Sequence, residues 1–156
     1  MKRILIADDH DSVLRRLRGM IASQPGWEVC GDAVTGRETV AKAAELKPDL
    51  IVLDFAMPQL DGLKAASAIR AILPHVPIVM FTMYSSALEQ EVEKHGITRL
   101  VDKAKSGALL EAVEELLGPE KQKPDRRGQD TLLPPAAIRD ATPGAEIDEP
   151  PIRKAG

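Results

Sequence analysis

The chain has 156 residues, with 21 Lys+Arg against 24 Asp+Glu, 12 Pro, 11 Gly and four aromatics. That length makes one domain the expectation, and a net charge of −3 removes any broad electrostatic case for nucleic acid or an anionic membrane as primary partner. A single cysteine, Cys30, allows neither an intramolecular disulfide nor a cysteine metal framework, so a reducing cytoplasm is the expected location.

The opening MKRILIA mimics the start of a signal peptide, but Asp8 and Asp9 end its apolar stretch far short of an h-region. No run approaches the roughly 18 apolar residues of a membrane span, so no membrane partner is expected. Residues 4–7 read as a short buried strand. Val13, Leu14, Leu17, Met20 and Ile21 then share one helical face, with Arg15, Arg16 and Arg18 opposite. A second strand is expected at 27–30 and a second helix at 39–46, stopped by Lys47-Pro48-Asp49. A strand at 50–53 precedes a helix at 63–72, and a strand at 78–81 precedes a helix at 87–95, with Gly96 placed as a helix-terminating glycine. The last pair is a strand at 100–101 and a helix at 108–117, whose Leu109, Leu110, Val113, Leu116 and Leu117 form a stripe ended by Gly118.

The composition changes after Leu117. Residues 118–156 hold seven of the twelve Pro and four of the eleven Gly, seven charges of each sign and no aromatic. This Pro/Gly-rich stretch reads as a disordered tail, the alternative being a short docking segment at 131–139 that orders on a partner. Residues 1–117 are the domain. Five strand–helix repeats within it predict an α/β fold, a five-stranded parallel sheet doubly wound by five helices.

In such sheets ligands bind beyond the carboxyl ends of the strands. Those ends carry Asp8 and Asp9 on the first strand, Asp54 on the third, Thr82 on the fourth and Lys103 on the fifth. Clustered carboxylates repel one another, and a hard divalent cation such as Mg²⁺ resolves that conflict. The chemistry suggested is phosphoryl transfer to a carboxylate. Asp54 suits the nucleophile, Asp8 and Asp9 the metal, Lys103 the counter-charge and Thr82 a hydrogen bond to the phosphoryl group. Each also has a plainer reading: the acidic pair as a helix cap, Lys103 as surface, Thr82 as a turn hydroxyl. Joint placement at four strand ends favours the site.

These residues carry a resemblance. ILIADDH, LIVLDFAMPQLDG around Asp54, IVMFTMYSS around Thr82 and LVDKAKSGALLEAV around Lys103 resemble the receiver domain of bacterial two-component response regulators, over residues 1–117. The resemblance implies a flavodoxin-like strand order 2-1-3-4-5, the order shared by chemotaxis receivers. It implies that Asp54 accepts a phosphoryl group from a histidine kinase or histidine phosphotransfer protein. It further implies that Asp8, Asp9, Asp54 and the main-chain carbonyl of Ala56 hold Mg²⁺, while Thr82 and Lys103 engage the phosphoryl oxygens. Met57-Pro58 and Asp61-Gly62 are expected to shape the following loop, Pro by fixing φ and Gly by permitting φ > 0.

Two positions depart from the family pattern. Leu100 stands where many receivers carry an aromatic whose rotamer follows the threonine, and Ala104 stands where many carry Pro. Tyr84, two past Thr82, reads as a half-exposed rim residue, the alternative being that it shapes water access or the signalling face; His10 reads as a loop residue, and His75 and His95 have no zinc-site spacing.

A phosphorylation-controlled binding module is the expected function, with an unknown downstream protein reading the face formed by the fourth helix, fifth strand and fifth helix. An Asp-nucleophile phosphatase of the haloacid dehalogenase type is the enzymatic rival, although Ala56 occupies the place of its second Asp. The acidic-pair and threonine motifs look closest to receivers joined to helix-turn-helix domains. Residues 118–156 show no recognition-helix pattern, so direct DNA binding is not expected and transcriptional control would act through a partner.

Overall fold

The computed structural model describes residues 1–118; the tail and its 131–139 segment lie outside the described residues. The elements are β1 (Lys2–Ala7), α1 (Asp11–Ala22), β2 (Trp27–Ala33), α2 (Gly36–Leu46), β3 (Leu50–Leu53), α3 (Gly62–Ile72), β4 (Ile78–Thr82), α4 (Ser85–Leu88), a 3-10 turn (Glu93–His95), β5 (Arg99–Asp102) and α5 (Ser106–Leu117). All neighbouring strands pair in parallel, in the order β2-β1-β3-β4-β5, as the resemblance implies.

Alternate strand residues feed two half-cores, as a pleat of period two requires. Ile4, Ile6, Val52, Val79 and Phe81 pack with Leu14, Leu17 and Ile21 of α1 and with Leu109 and Val113 of α5. Leu5, Ile51, Leu53, Ile78 and Met80 pack on the other side with Ala43 of α2, Ala65 and Ile69 of α3 and Leu88 of α4. Helices on both faces explain why the strands read as unbroken apolar runs.

Local chemistry sets the helix ends. Thr35 caps α2, its hydroxyl accepting from the Glu38 amide at 3.0 Å, and Asp61 caps α3 by accepting from the Lys64 amide at 2.9 Å. Lys47 ends α2 in the left-handed region at φ 46, just before Pro48.

Two expectations are corrected. A continuous helix over 87–95 gives way to one α-helical turn at Ser85–Leu88 and a 3-10 turn at Glu93–His95. Tertiary anchors compete with helix propensity here: Ser67 Oγ lies 2.9 Å from His95 Nδ1, and Arg70 donates to the Gly96 carbonyl at 2.6 Å. Glu89 and Glu93, four apart, would also repel on one helical face. The second correction concerns Gly62. Its φ is not positive; in this loop Gln59 takes that conformation, at φ 70. Gly62 is needed because a Cβ would stand 2.2 Å from the Asp54 carbonyl oxygen and 2.8 Å from Phe55 Cα. Among the described residues, no helix is long and apolar enough to cross a membrane.

Candidate functional site at the carboxyl edge of the sheet

The parallel ladder continues one rung past the strands. The Asp8 amide donates to the Ala33 carbonyl, Asp54 to Ala7 and Lys103 to Thr82, each at 3.0 Å. These backbone bonds hold four of the five residues whose side chains are predicted for the site at one rim: Asp8, Asp54 and Lys103 just beyond β1, β3 and β5, and Thr82 as the last residue of β4. Asp8, Asp54 and Thr82 are buried, whereas Asp9 stands on the exposed lip beside Asp8.

Lys103 draws the carboxylates together. Its ammonium lies 2.6 Å from Asp8 Oδ2 and 3.5 Å from Asp54 Oδ1, on a side chain only 10% exposed. Burial, and then the neighbouring Asp8 charge, push the Asp54 carboxyl above the ordinary aspartate range. Lys103, the Phe55 amide and the Thr82 hydroxyl pull it back only in part. Asp54 is thus a desolvated carboxylate short of positive charge.

The acidic pair does not cap α1. The N-cap residue is His10, which makes no side-chain capping bond. Asp8 Oδ1 instead accepts from the His10 amide at 2.9 Å. The His10 ring brings Nδ1 to 3.1 Å from both Asp8 Oδ1 and Asp9 Oδ1, a closer role than that of a plain loop residue. Ligand atoms of Asp8, Asp9 and His10 all lie within 4.8 Å of one another; Asp54 is outside that set. Adjacency to two acids was the only sequence signal for His10. Ala56 is exposed in the loop after Asp54.

The donor set fits a hard cation. Two buried carboxylates, Asp8 and Asp54, share one lysine, with Asp9 on the lip beside them, and Asp54 is raised by burial and by the Asp8 charge; a divalent ion with oxygen preference would relieve it.

Beside the rim, the Phe55 ring meets the Tyr84 ring edge-on, centroids 5.9 Å apart at 73°. The Tyr84 amide donates to Thr82 Oγ1 at 3.2 Å. Leu100 lies partly buried against the α2/α3 half-core. Between α4, β5 and α5 runs an open groove of about 470 Å³, lined by Ser85, Glu89, Asp102, Lys105 and Glu111 among others, and spanned by an Arg99–Glu115 ion pair at 2.9 Å.

Comparison with known proteins agrees with this architecture. A family model described as the response regulator receiver domain matches residues 4–114. The response regulator protein VraR of Staphylococcus aureus is 28% identical over 137 residues, which span 88% of this chain but 62% of that protein. Among solved structures, the response regulator domain of Thermotoga maritima CheB superposes with a TM-score of 0.71 at 28% identity, covering 78% of this chain and 99% of that one. A LuxR-family two-component response regulator from Aurantimonas sp. gives 0.70 at 32% identity, covering 79% and 90%. With the matching sheet order and the acidic rim, this chain belongs to the receiver domain family of two-component response regulators.

Proposed function

We propose that residues 1–117 act as a phosphoryl acceptor that relays a signal by protein–protein contact, with Asp54 as the accepting residue. The observation that carries this reading is the buried Asp54 carboxylate at the end of β3, between Lys103 at 3.5 Å and the Thr82 hydroxyl. The donor is a histidine kinase or a histidine phosphotransfer protein. Phosphorus leaves a donor histidine nitrogen and bonds to an Asp54 carboxylate oxygen, and the nitrogen keeps the electron pair of the broken P–N bond.

Mg²⁺ would be held by Asp8, Asp9, Asp54 and the main-chain carbonyl of Ala56. When bound it offsets charge on the phosphoryl oxygens and on the carboxylates. Lys103 exchanges its pairing with Asp8 and Asp54 for a phosphoryl oxygen, and the Thr82 hydroxyl donates to another. Both positions are fixed by the last rung of the sheet, so little ordering is needed on phosphorylation.

The readout face is the groove between α4, β5 and α5, read by a downstream protein. Direct DNA binding is not part of this reading. Residues 118–156 form a compositionally separate tail after the receiver. Steady phosphatase turnover of the haloacid dehalogenase type is disfavoured because Ala56 supplies no acid/base group. Incubation with acetyl phosphate and Mg²⁺ followed by intact mass tests the proposal. A gain of one phosphoryl group is expected, lost in Asp54→Asn; an unchanged wild-type mass refutes it.

A further inference from the structure

The rim contains an aromatic pair that the phosphorylation chemistry does not use. Tyr84 is tied to Asp54 from two directions. Its amide donates to Thr82 Oγ1 at 3.2 Å, and its ring rests edge-on against Phe55, the residue that follows Asp54. Tyr84 is also the N-cap residue of α4, and its carbonyl accepts from the Ala87 amide at 3.1 Å. The next residue, Ser85, donates from Oγ to Asp102 Oδ2 at 3.2 Å, and Asp102 Oδ1 accepts the Ala104 amide at 2.8 Å, just past Lys103. One segment thus joins both phosphoryl-facing side chains to the start of α4.

That segment is lightly held. Tyr84 is 53% exposed, so its ring is free on one side, and α4 is a single turn whose one buried residue is Leu88. So short a helix has little cooperative stability of its own. A hydroxyl has one proton and two lone pairs. When the Thr82 side chain swings to carry its proton to a phosphoryl oxygen, Oγ1 itself shifts relative to the Tyr84 amide. The amide must follow or lose its partner.

We infer that Tyr84, seated on Phe55, is the positioning residue that carries phosphorylation of Asp54 to α4 and the groove beside it, in a chain whose Leu100 offers no aromatic on β5. This rests on the reading of Asp54 given above.

The test is amide NMR of the full chain with beryllofluoride and Mg²⁺ as the phosphoryl mimic. In wild type, the Ala56 amide beside the acceptor and the Ala87 and Glu89 amides of the α4 region are expected to shift by more than a linewidth. In Tyr84→Ala the Ala56 shift persists while the α4 shifts fall by about half or more; Tyr84→Phe restores them, and Leu100→Met leaves them as in wild type. Full α4 shifts in Tyr84→Ala overturn the inference, as does their loss in Leu100→Met. An Ala56 amide that stays still in wild type overturns the Asp54 reading itself, and this inference with it.

Discussion

Asp54→Asn should stabilise the protein in metal-free buffer at neutral pH. Asp8 Oδ2 and Asp54 Oδ1 sit 2.6 and 3.5 Å from the same ammonium, which puts the two oxygens within about 6 Å of each other. At an effective dielectric of about 20, that separation is worth roughly 3 kcal/mol of repulsion, against roughly 5 kcal/mol of attraction between Asp54 and Lys103. The Coulomb terms alone therefore favour the carboxylate by about 2 kcal/mol, and desolvation of a buried ion, about 3–4 kcal/mol after relaxation, outweighs them. The net penalty is on the order of 1–2 kcal/mol, in the direction of the raised Asp54 carboxyl. Because the folded-state value is raised, the native state has its full stability below the unfolded aspartate range and loses it as pH rises through the folded value. Wild type and Asp54→Asn should hence converge in acid and separate toward neutral pH, with the variant melting roughly 3–8 °C higher. Thermal melts across that pH range, with and without Mg²⁺, read this directly. If Mg²⁺ is held by the native carboxylates as proposed, it should stabilise wild type and close the gap. A variant no more stable than wild type at neutral pH without metal, or a gap that ignores pH, refutes the reasoning.

Lys103→Met removes the cation nearest Asp8 and should tighten Mg²⁺ binding about tenfold in isothermal titration; weaker binding would show that the ammonium does not compete for those carboxylates. Gly62→Ala drives a Cβ into the Asp54 carbonyl and should cost more than about 2 kcal/mol in urea denaturation. Arg70 donates to the carbonyls of Leu73, Pro74, Val76 and Gly96, so Arg70→Met should cost about 2–4 kcal/mol in the same assay; a smaller loss would mean that water replaces the guanidinium. Burial raises the Cys30 thiol, so its alkylation by iodoacetamide should stay slow until pH passes the ordinary thiol range.

Much of the site was legible because its residues follow directly on apolar runs. A four-residue apolar run such as Leu50–Leu53, set between a Pro-containing turn and Asp54 in a strand–helix alternation, reads as a central strand, and the residue after it then falls at the carboxyl edge. What was not legible depends on tertiary geometry. The stretch ALEQEVEKH is made largely of good helix formers, and nothing local announces that Arg70 and Ser67 hold its far end in another conformation. The choice of Asp8 over Asp54 as the nearer partner of Lys103 depends on side-chain reach across the sheet edge. Gly62 was recognised as necessary but for the wrong reason, since sequence shows a missing side chain without showing what would strike it.

The extra rung at the sheet edge has a consequence for how the molecule opens. The amides of Asp8, Asp54 and Lys103 are bonded as the strand interiors are, so their hydrogens should exchange with solvent only in large, cooperative openings. Few residues away, the stretch from Tyr84 to Gly96 is held by isolated turns and should exchange through small local fluctuations. The Asp54 carboxylate, the proposed acceptor, therefore stands between a part of the domain expected to open slowly and one expected to open readily. A charge added there meets a firm floor on one side and a yielding wall on the other, which gives its effect a direction.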